Sequence, residues 1–242
     1  MRIPRFYQNI ELCVNTTVAL DDNAVQHVAR VLRMKPGADI CLFNGDGNEY
    51  TGSLTQVEKR SVSVLIESVS NRSRISPLNI EIGQSISKGD RMDYAVQKST
   101  EMGMHSFSPL LSERGEVRLK ADRLLKKQQQ WQQLSISACE QSLRTDIPEI
   151  RAVQPLSQWI KECDAELKLV LHHHSLTPLS ELSPPGSVAL LIGPEGGLSE
   201  AEVEQAMRAG FKAVSFGPRV LRTETAPVAA QAILQYLWGD LG

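Results

Sequence analysis

The sequence predicts an α/β protein in which a parallel sheet with helices on both faces follows a small, mostly β domain. Three observations carry this. Beyond residue 77, short apolar β-rich runs alternate with longer stretches of helical periodicity, the pattern of a parallel sheet. Residues 1–70 instead hold several short β-rich runs around one amphipathic helix. Between them, Ser70 to Pro77 is polar, lacks periodicity and ends in proline, as an interdomain linker does. The expected domains are therefore 1–72 and 73–242.

In chain order, Asp21 or Asp22 can cap a helix in which Val25, Val28, Ala29 and Leu32 recur at helical spacing, ending near Pro36 and Gly37. Strands are expected at 39–43, 49–57 and 61–69. Asn44-Gly-Asp-Gly-Asn48 reads as a hairpin loop, because its glycines permit positive φ and no helix follows to make it a phosphate loop. After the linker, strands are expected at 78–86, 106–111, 167–171, 188–192 and 213–216, and helices at 91–102, 121–143, 200–209 and 225–238.

Composition excludes several classes. An apolar share of 41% over 242 residues supplies real cores. No apolar run approaches the roughly 20 residues of a membrane span. The N-terminal residues lack the apolar stretch of a signal peptide, so a cytoplasmic protein is expected. Cys13, Cys41, Cys139 and Cys163 are far apart, which suggests neither a disulfide framework nor zinc. His172-His-His174 invites a metal, but adjacent residues of an extended segment point to opposite faces, and no metal is expected. The net charge of −2 hides local basic stretches: five basic against three acidic residues over 1–35, and nine against six over 88–131.

Three C-terminal segments leave the end of an apolar strand, where α/β sheets bind ligands, and in two of them glycine follows the strand directly. They are Val170-Leu-His-His-His174, the run Leu190 to Ser199, and the run Phe216 to Ala226. In the second, Gly193, Gly196 and Gly197 let backbone groups approach a flat ligand, and Ser199 with Glu202 reads as a capping box. A phosphate site there is disfavoured by Glu195 and by the absence of a following lysine. In the third, Arg219, Arg222 and Glu224 crowd one turn between Pro218 and Pro227, an arrangement suited either to a polyanionic substrate or to a plain surface ion pair.

Gly193-Pro-Glu-Gly-Gly-Leu-Ser199 together with Leu221-Arg-Thr-Glu-Thr-Ala226 resembles the signature of the SPOUT-class RNA methyltransferases. Met1-Arg-Ile-Pro-Arg5, Val31-Leu-Arg-Met34, Lys88-Gly-Asp-Arg-Met92, Gln97 to Gly103, and Ala138 to Ser142 with Arg144 narrow the match. Over essentially its whole length the chain is similar to the bacterial family that methylates nitrogen 3 of a uracil in 16S ribosomal RNA of the small ribosomal subunit. The resemblance implies an N-terminal PUA-like β-barrel for RNA and a C-terminal trefoil-knotted domain that forms a homodimer. It implies S-adenosyl-L-methionine as cofactor, held by Leu171 and His172, by Leu191, Ile192, Gly193, Glu195, Gly196 and Gly197, and by Phe216, Gly217, Val220 and Leu221. Phe216 departs from the aliphatic residue expected there.

Arg222 and Glu224 are the expected catalytic residues. Uracil N3 carries a proton that must leave before or during transfer, so a base or a cation that stabilises the uracil anion is needed. Glu224 can be the base or can orient Arg222. Arg2, Arg5, Arg30 and Arg33 are expected to hold RNA phosphates. The alternatives are ribose 2′-O methylation and a non-catalytic RNA-binding protein of the same fold.

Overall fold

The computed structural model describes residues 3–71, 74–115, 120–172, 179 and 183–242. The chain forms two compact units, the first of residues 1–75 with 139–147 and the second of 76–138 with 148–242. The boundary expected at 72/73 lies outside the described residues. The return of residues 139–147 to the first unit departs from the expectation that everything after residue 73 belongs to one domain.

The first unit is a five-stranded sheet with one helix. Strands β1 (Arg5–Tyr7), β2 (Thr17–Ala19), β3 (Asp39–Phe43), β4 (Asn48–Val57) and β5 (Val62–Asn71) pair in the order β1-β3-β4-β5-β2. Only β1 and β3 run parallel. Asn44 to Gly47 turns the β3–β4 hairpin, with Gly45 and Gly47 at positive φ. In β4, a Cβ on Gly52 would lie 2.0 Å from the Leu65 carbonyl oxygen, so the bulged pairing there admits no side chain.

Helix α1 (Asp22–Gln26) is capped by Asp21, whose carboxylate accepts from the Ala24 amide. It runs into one wider turn over His27–Val31, closed by the Leu32 amide on the His27 carbonyl. Val25 and Val28 point into a core with Ile40, Leu42, Leu54, Val64 and Ile66.

Residues 139–147 join this unit through a basic side chain. The Arg5 guanidinium donates to the carbonyls of Cys139, Glu140 and Arg144 and pairs with Glu49 at 3.1 Å, while the Tyr7 amide donates to Glu140 Oε1. No local pattern advertises such pairings across more than 130 residues.

The second unit is the expected parallel sheet. Its strands are β6 (Asn79–Ser85), β7 (Ser106–Leu111), β8 (Glu149–Ile150), β9 (Gln154–Pro155), β10 (Leu167–Leu171), β11 (Ser187–Ile192) and β12 (Lys212–Val214). They pair in the order β12-β10-β11-β6-β7-β8, with β9 also on β7, and every pair is parallel. The helices are α2 (Arg91–Glu101), α3 (Ala121–Ser142), α4 (Leu156–Glu162), α5 (Glu200–Arg208) and α6 (Thr225–Trp238).

Alternate residues of the central strands feed opposite faces, as period-two geometry requires. Ile80, Ile82, Leu169, Leu190 and Ile192 pack with α2 and α6 residues, whereas Val170, Ala189 and Leu191 pack with Trp159 of α4 and Ala206 of α5. Helix α4 was not expected. It fits because Gly83 leaves the β6 surface bare for the Trp159 ring, which would lie 2.6 Å from any Cβ there. Among the described residues no helix is long and apolar enough to cross a membrane.

Candidate functional site

The parallel register brings the C-terminal ends of β6, β10, β11 and β12 to one edge of the sheet, and the three segments singled out in the sequence, two of them glycine-bearing, leave from that edge. At β10, the His172 amide donates to the Val214 carbonyl at 2.9 Å, tying the end of β10 to the end of β12. His173 and His174 lie outside the described residues. Leu171, Ile192, Phe216 and Leu221 belong to one apolar cluster. Leu191 is buried on the opposite face of the sheet, so only its backbone can serve a ligand at this edge.

The loop from Gly193 to Gly197 is pinned from two sides. Glu195 Oε1 accepts from the Lys88 amide at 3.1 Å and from the Arg91 guanidinium at 2.7 Å. Burial pushes the Glu195 carboxyl up, but hydrogen bonds from its own and the Lys88 backbone and from Arg91 outweigh this and hold it below the usual glutamate value. On the other side, Arg114 donates to the carbonyls of Gly196 and Leu198, each at 3.3 Å. Ser199 and Glu202 form the expected capping box at the start of α5, and Glu202 also accepts from the Glu113 amide.

The glycines divide the work. Gly193 is closely packed, since a Cβ would lie 3.0 Å from both the amide nitrogen and Cγ of Leu198 and would force Leu198 to give way. Gly197 holds φ +69° with open space around it, a backbone that side-chain-bearing residues rarely adopt. Gly196 has ordinary φ, and its nearest neighbour would be Arg114 Cβ at 3.8 Å.

The third segment returns from β12 to β6. Gly217 turns it at φ +84°, and Arg219 and Val220 are exposed, Val220 by 80%. Buried Thr223 anchors the far end: its carbonyl accepts from Gln84 at 3.2 Å, and its hydroxyl accepts from Ser87 and donates to Glu224 Oε2 at 3.2 Å. Arg222 and Glu224 are neighbours along this turn but form no ion pair. Among the described residues the exposed Arg222 guanidinium has no partner.

Beside Glu224 lies an open cleft of about 650 Å³, lined by the Lys88 to Arg91 turn, Tyr94, Glu224 and Thr225. Lys88, Arg91, Tyr94 and Arg114 were not singled out individually from the sequence, although the Lys88-Gly-Asp-Arg-Met92 motif signalled the first two. Thr223, expected with Thr225 as a possible cap of α6, instead holds Gln84, Ser87 and Glu224.

The arginines expected to hold RNA separate. Arg30 and Arg33 are exposed at the end of the α1 turn, Arg33 at φ +51°, with Val31 and Leu32 exposed between them. Arg5 is a correction. It is 8% exposed, occupied by three carbonyls and Glu49 and stacked 4.7 Å from the Phe43 ring centroid, so it secures the fold rather than meeting a phosphate. Arg2 lies outside the described residues.

Residues 74–235 match the model of the RNA methyltransferase domain, and 20–67 that of the RNA methyltransferase PUA domain. The chain is 35% identical to the ribosomal RNA small subunit methyltransferase E of Buchnera aphidicola (subsp. Schizaphis graminum), covering 99% of this chain and 98% of that one. It is 34% identical to that of Bacillus subtilis, over 91% and 90%. Among solved structures, the Neisseria gonorrhoeae ribosomal RNA small subunit methyltransferase E bound to S-adenosyl methionine superposes with TM-score 0.94 at 42% identity, covering both chains fully. A Legionella pneumophila protein assigned as a methyltransferase, solved with bound SAM, gives 0.96 at 44%, also over both full chains.

Proposed function

The chain belongs to the RNA methyltransferase family whose members include the ribosomal RNA small subunit methyltransferases E, and on that premise we propose that it methylates nitrogen 3 of a uridine in 16S ribosomal RNA, using S-adenosyl-L-methionine. The observation that carries the reading is the meeting of three strand-end loops, two of them glycine-bearing, at one sheet edge with Arg222 and Glu224 in the last of them.

The residues present fit the cofactor. Gly197 offers backbone in a left-handed conformation with nothing within 4 Å of a Cβ position, and the ends of β10, β11 and β12 offer further amides and carbonyls. Leu171, His172, Leu191 to Gly193, Glu195 to Gly197, Phe216, Gly217, Val220 and Leu221 are the residues that would hold it. When bound, the cofactor supplies an electrophilic methyl on a sulfonium.

Arg222 then stabilises the charge that develops on the imide oxygens as N3 loses its proton, a role open to a guanidinium with no competing partner among the described residues. Glu224 receives the proton. Its carboxylate borders the cleft, is steadied by Thr223 and has no paired cation among the described residues. Uracil N3 is hidden in a base pair, so the nucleotide must be unpaired or flipped out to react.

The same reading assigns residues 1–72 to RNA, through Arg2, Arg30 and Arg33, and 73–242 to methyl transfer. It makes the segment from Phe216 to Glu224, running from edge strand β12 back to β6, part of a trefoil knot, a topology the Gln84–Thr223 hydrogen bond supports. It makes the protein a cytoplasmic homodimer. Ile233, Tyr236 and Leu237 on α6 support the dimer, because they are exposed apolar surface on one helix.

The test is incubation of the protein with labelled cofactor and either 16S ribosomal RNA or the small subunit, followed by mass mapping of the nucleosides. A single 3-methyluridine is expected. A ribose-methylated nucleotide, or cofactor binding without any methylation, would replace this reading by one of its alternatives.

A further inference from the structure

We propose that the cleft at the start of α2 is the acceptor-base subsite and that Tyr94 is the platform on which the uracil stacks. The inference rests on the proposed methylation of uridine and adds where the base lies.

The packing of α2 determines which way Tyr94 faces. Met92, Ala95, Val96 and Ser99 are buried on one side of the helix, and Asp93 is held by a 2.8 Å hydrogen bond from Trp131 Nε1. With both neighbours of Tyr94 committed inward, its ring is left on the opposite side at the cleft wall, 48% exposed, and its hydroxyl has no partner among the described residues. An exposed aromatic ring has little to gain from water, whereas stacking on a base is worth about 1–3 kcal/mol and requires only a flat face.

The rest of the cleft suits a uracil. Gly89 forms its rim at φ +62° with nothing within 4 Å of a Cβ position, which keeps the approach open. Glu224 and Tyr94 line the same cleft, so a base stacked on Tyr94 can present its imide edge to the carboxylate proposed to take the N3 proton. The volume of about 650 Å³ is enough for one nucleotide and falls within the range of small-ligand sites, roughly 300–1,000 Å³. Arg91, also in the wall, is engaged by Glu195, which joins this cleft to the loop proposed to hold the cofactor.

The experiment compares Tyr94→Ala and Tyr94→Phe in the full-length protein. Three readouts are needed: single-turnover methylation over a range of 16S ribosomal RNA concentrations, cofactor affinity by calorimetry, and photocrosslinking to the same RNA transcribed with 5-iodouridine. The alanine variant should need roughly tenfold or more RNA for half-maximal rate, in line with loss of one stacking contact. Cofactor affinity should hold within twofold. Tyr94→Phe, which keeps the ring, should restore the RNA dependence to within about threefold, and the wild-type crosslink should map to Tyr94.

An alanine variant with wild-type RNA dependence, or a crosslink mapping elsewhere, overturns the subsite while leaving uridine methylation by the wild type intact. Loss of cofactor affinity, or of the oligomeric state by sedimentation, overturns it in favour of a cofactor or subunit contact. A wild type that makes no 3-methyluridine removes the proposed function and the subsite together.

Discussion

The Arg91 guanidinium donates to Glu195 Oε1 across 2.7 Å, so the first residue of α2 holds the carboxylate of the loop that follows β11. The Lys88 amide shares the same oxygen. Two segments 104 residues apart in sequence thereby set the shape of one edge of the sheet.

Glu195→Ala should weaken S-adenosylmethionine binding by loosening this loop, with little global loss, because a half-exposed ion pair contributes only about 0.2–1 kcal/mol. The pH dependence has a definite sign. Glu195 is held below its usual value, so its contribution is complete above the ordinary glutamate range and disappears as pH falls through the lowered value. Thermal unfolding of wild type and variant should therefore differ at pH 7 and converge in acid. A difference that grows as pH falls would contradict the assignment.

Arg222→Ala should lower single-turnover methylation by about 10²–10³, the usual cost of one preorganised transition-state donor. Cofactor affinity should stay within a few-fold. Lysine should rescue poorly, since it lacks the planar fork of donors. A rate within threefold of wild type at saturating RNA and cofactor would sink the catalytic role.

The two adjacent glycines separate backbone strain from pocket contact. Gly197→Val imposes a β-branched residue at φ +69° and should cost about 1–2 kcal/mol together with cofactor affinity. Gly196→Ala meets only ordinary contact with Arg114 and should leave the melting temperature nearly unchanged. Loss of cofactor affinity in that variant would then report a side chain in the pocket; a large drop in melting temperature would show that the loop is tighter than this geometry allows.

Arginines of the first unit should divide by burial. Arg5→Ala leaves three carbonyls without their donor and removes the shorter of the ion pairs to Glu49, with Arg74 remaining at 3.7 Å, and should destabilise by about 1–3 kcal/mol. Arg30→Ala with Arg33→Ala should leave stability unchanged, weaken RNA binding and flatten its salt dependence by nearly two counterions. Filter binding across salt concentrations checks this, and an unchanged slope would remove both residues from the RNA surface.

The sequence by itself determined the parallel sheet, its long helices and central strands, the Asp21 cap, the hairpin at Asn44 to Gly47 and the capping box at Ser199, because each is a local pattern of periodicity or hydrogen-bonding side chains. It also marked the three loops, since the end of an apolar strand, followed directly by glycine in two of them, is legible one segment at a time. Only the tertiary structure decided which side chains those loops meet. Arg5 and Arg30 are equally basic in sequence, yet one is buried under carbonyls from residues 139–144 and the other faces water. Arg222 and Glu224, two residues apart, do not pair, because Thr223 is drawn inward by Gln84 and Ser87 and Glu224 turns to its hydroxyl. The Arg91–Glu195 clamp and the cleft at Tyr94 depend on which strands lie side by side, and strand order is a property of long-range pairing that no local window contains.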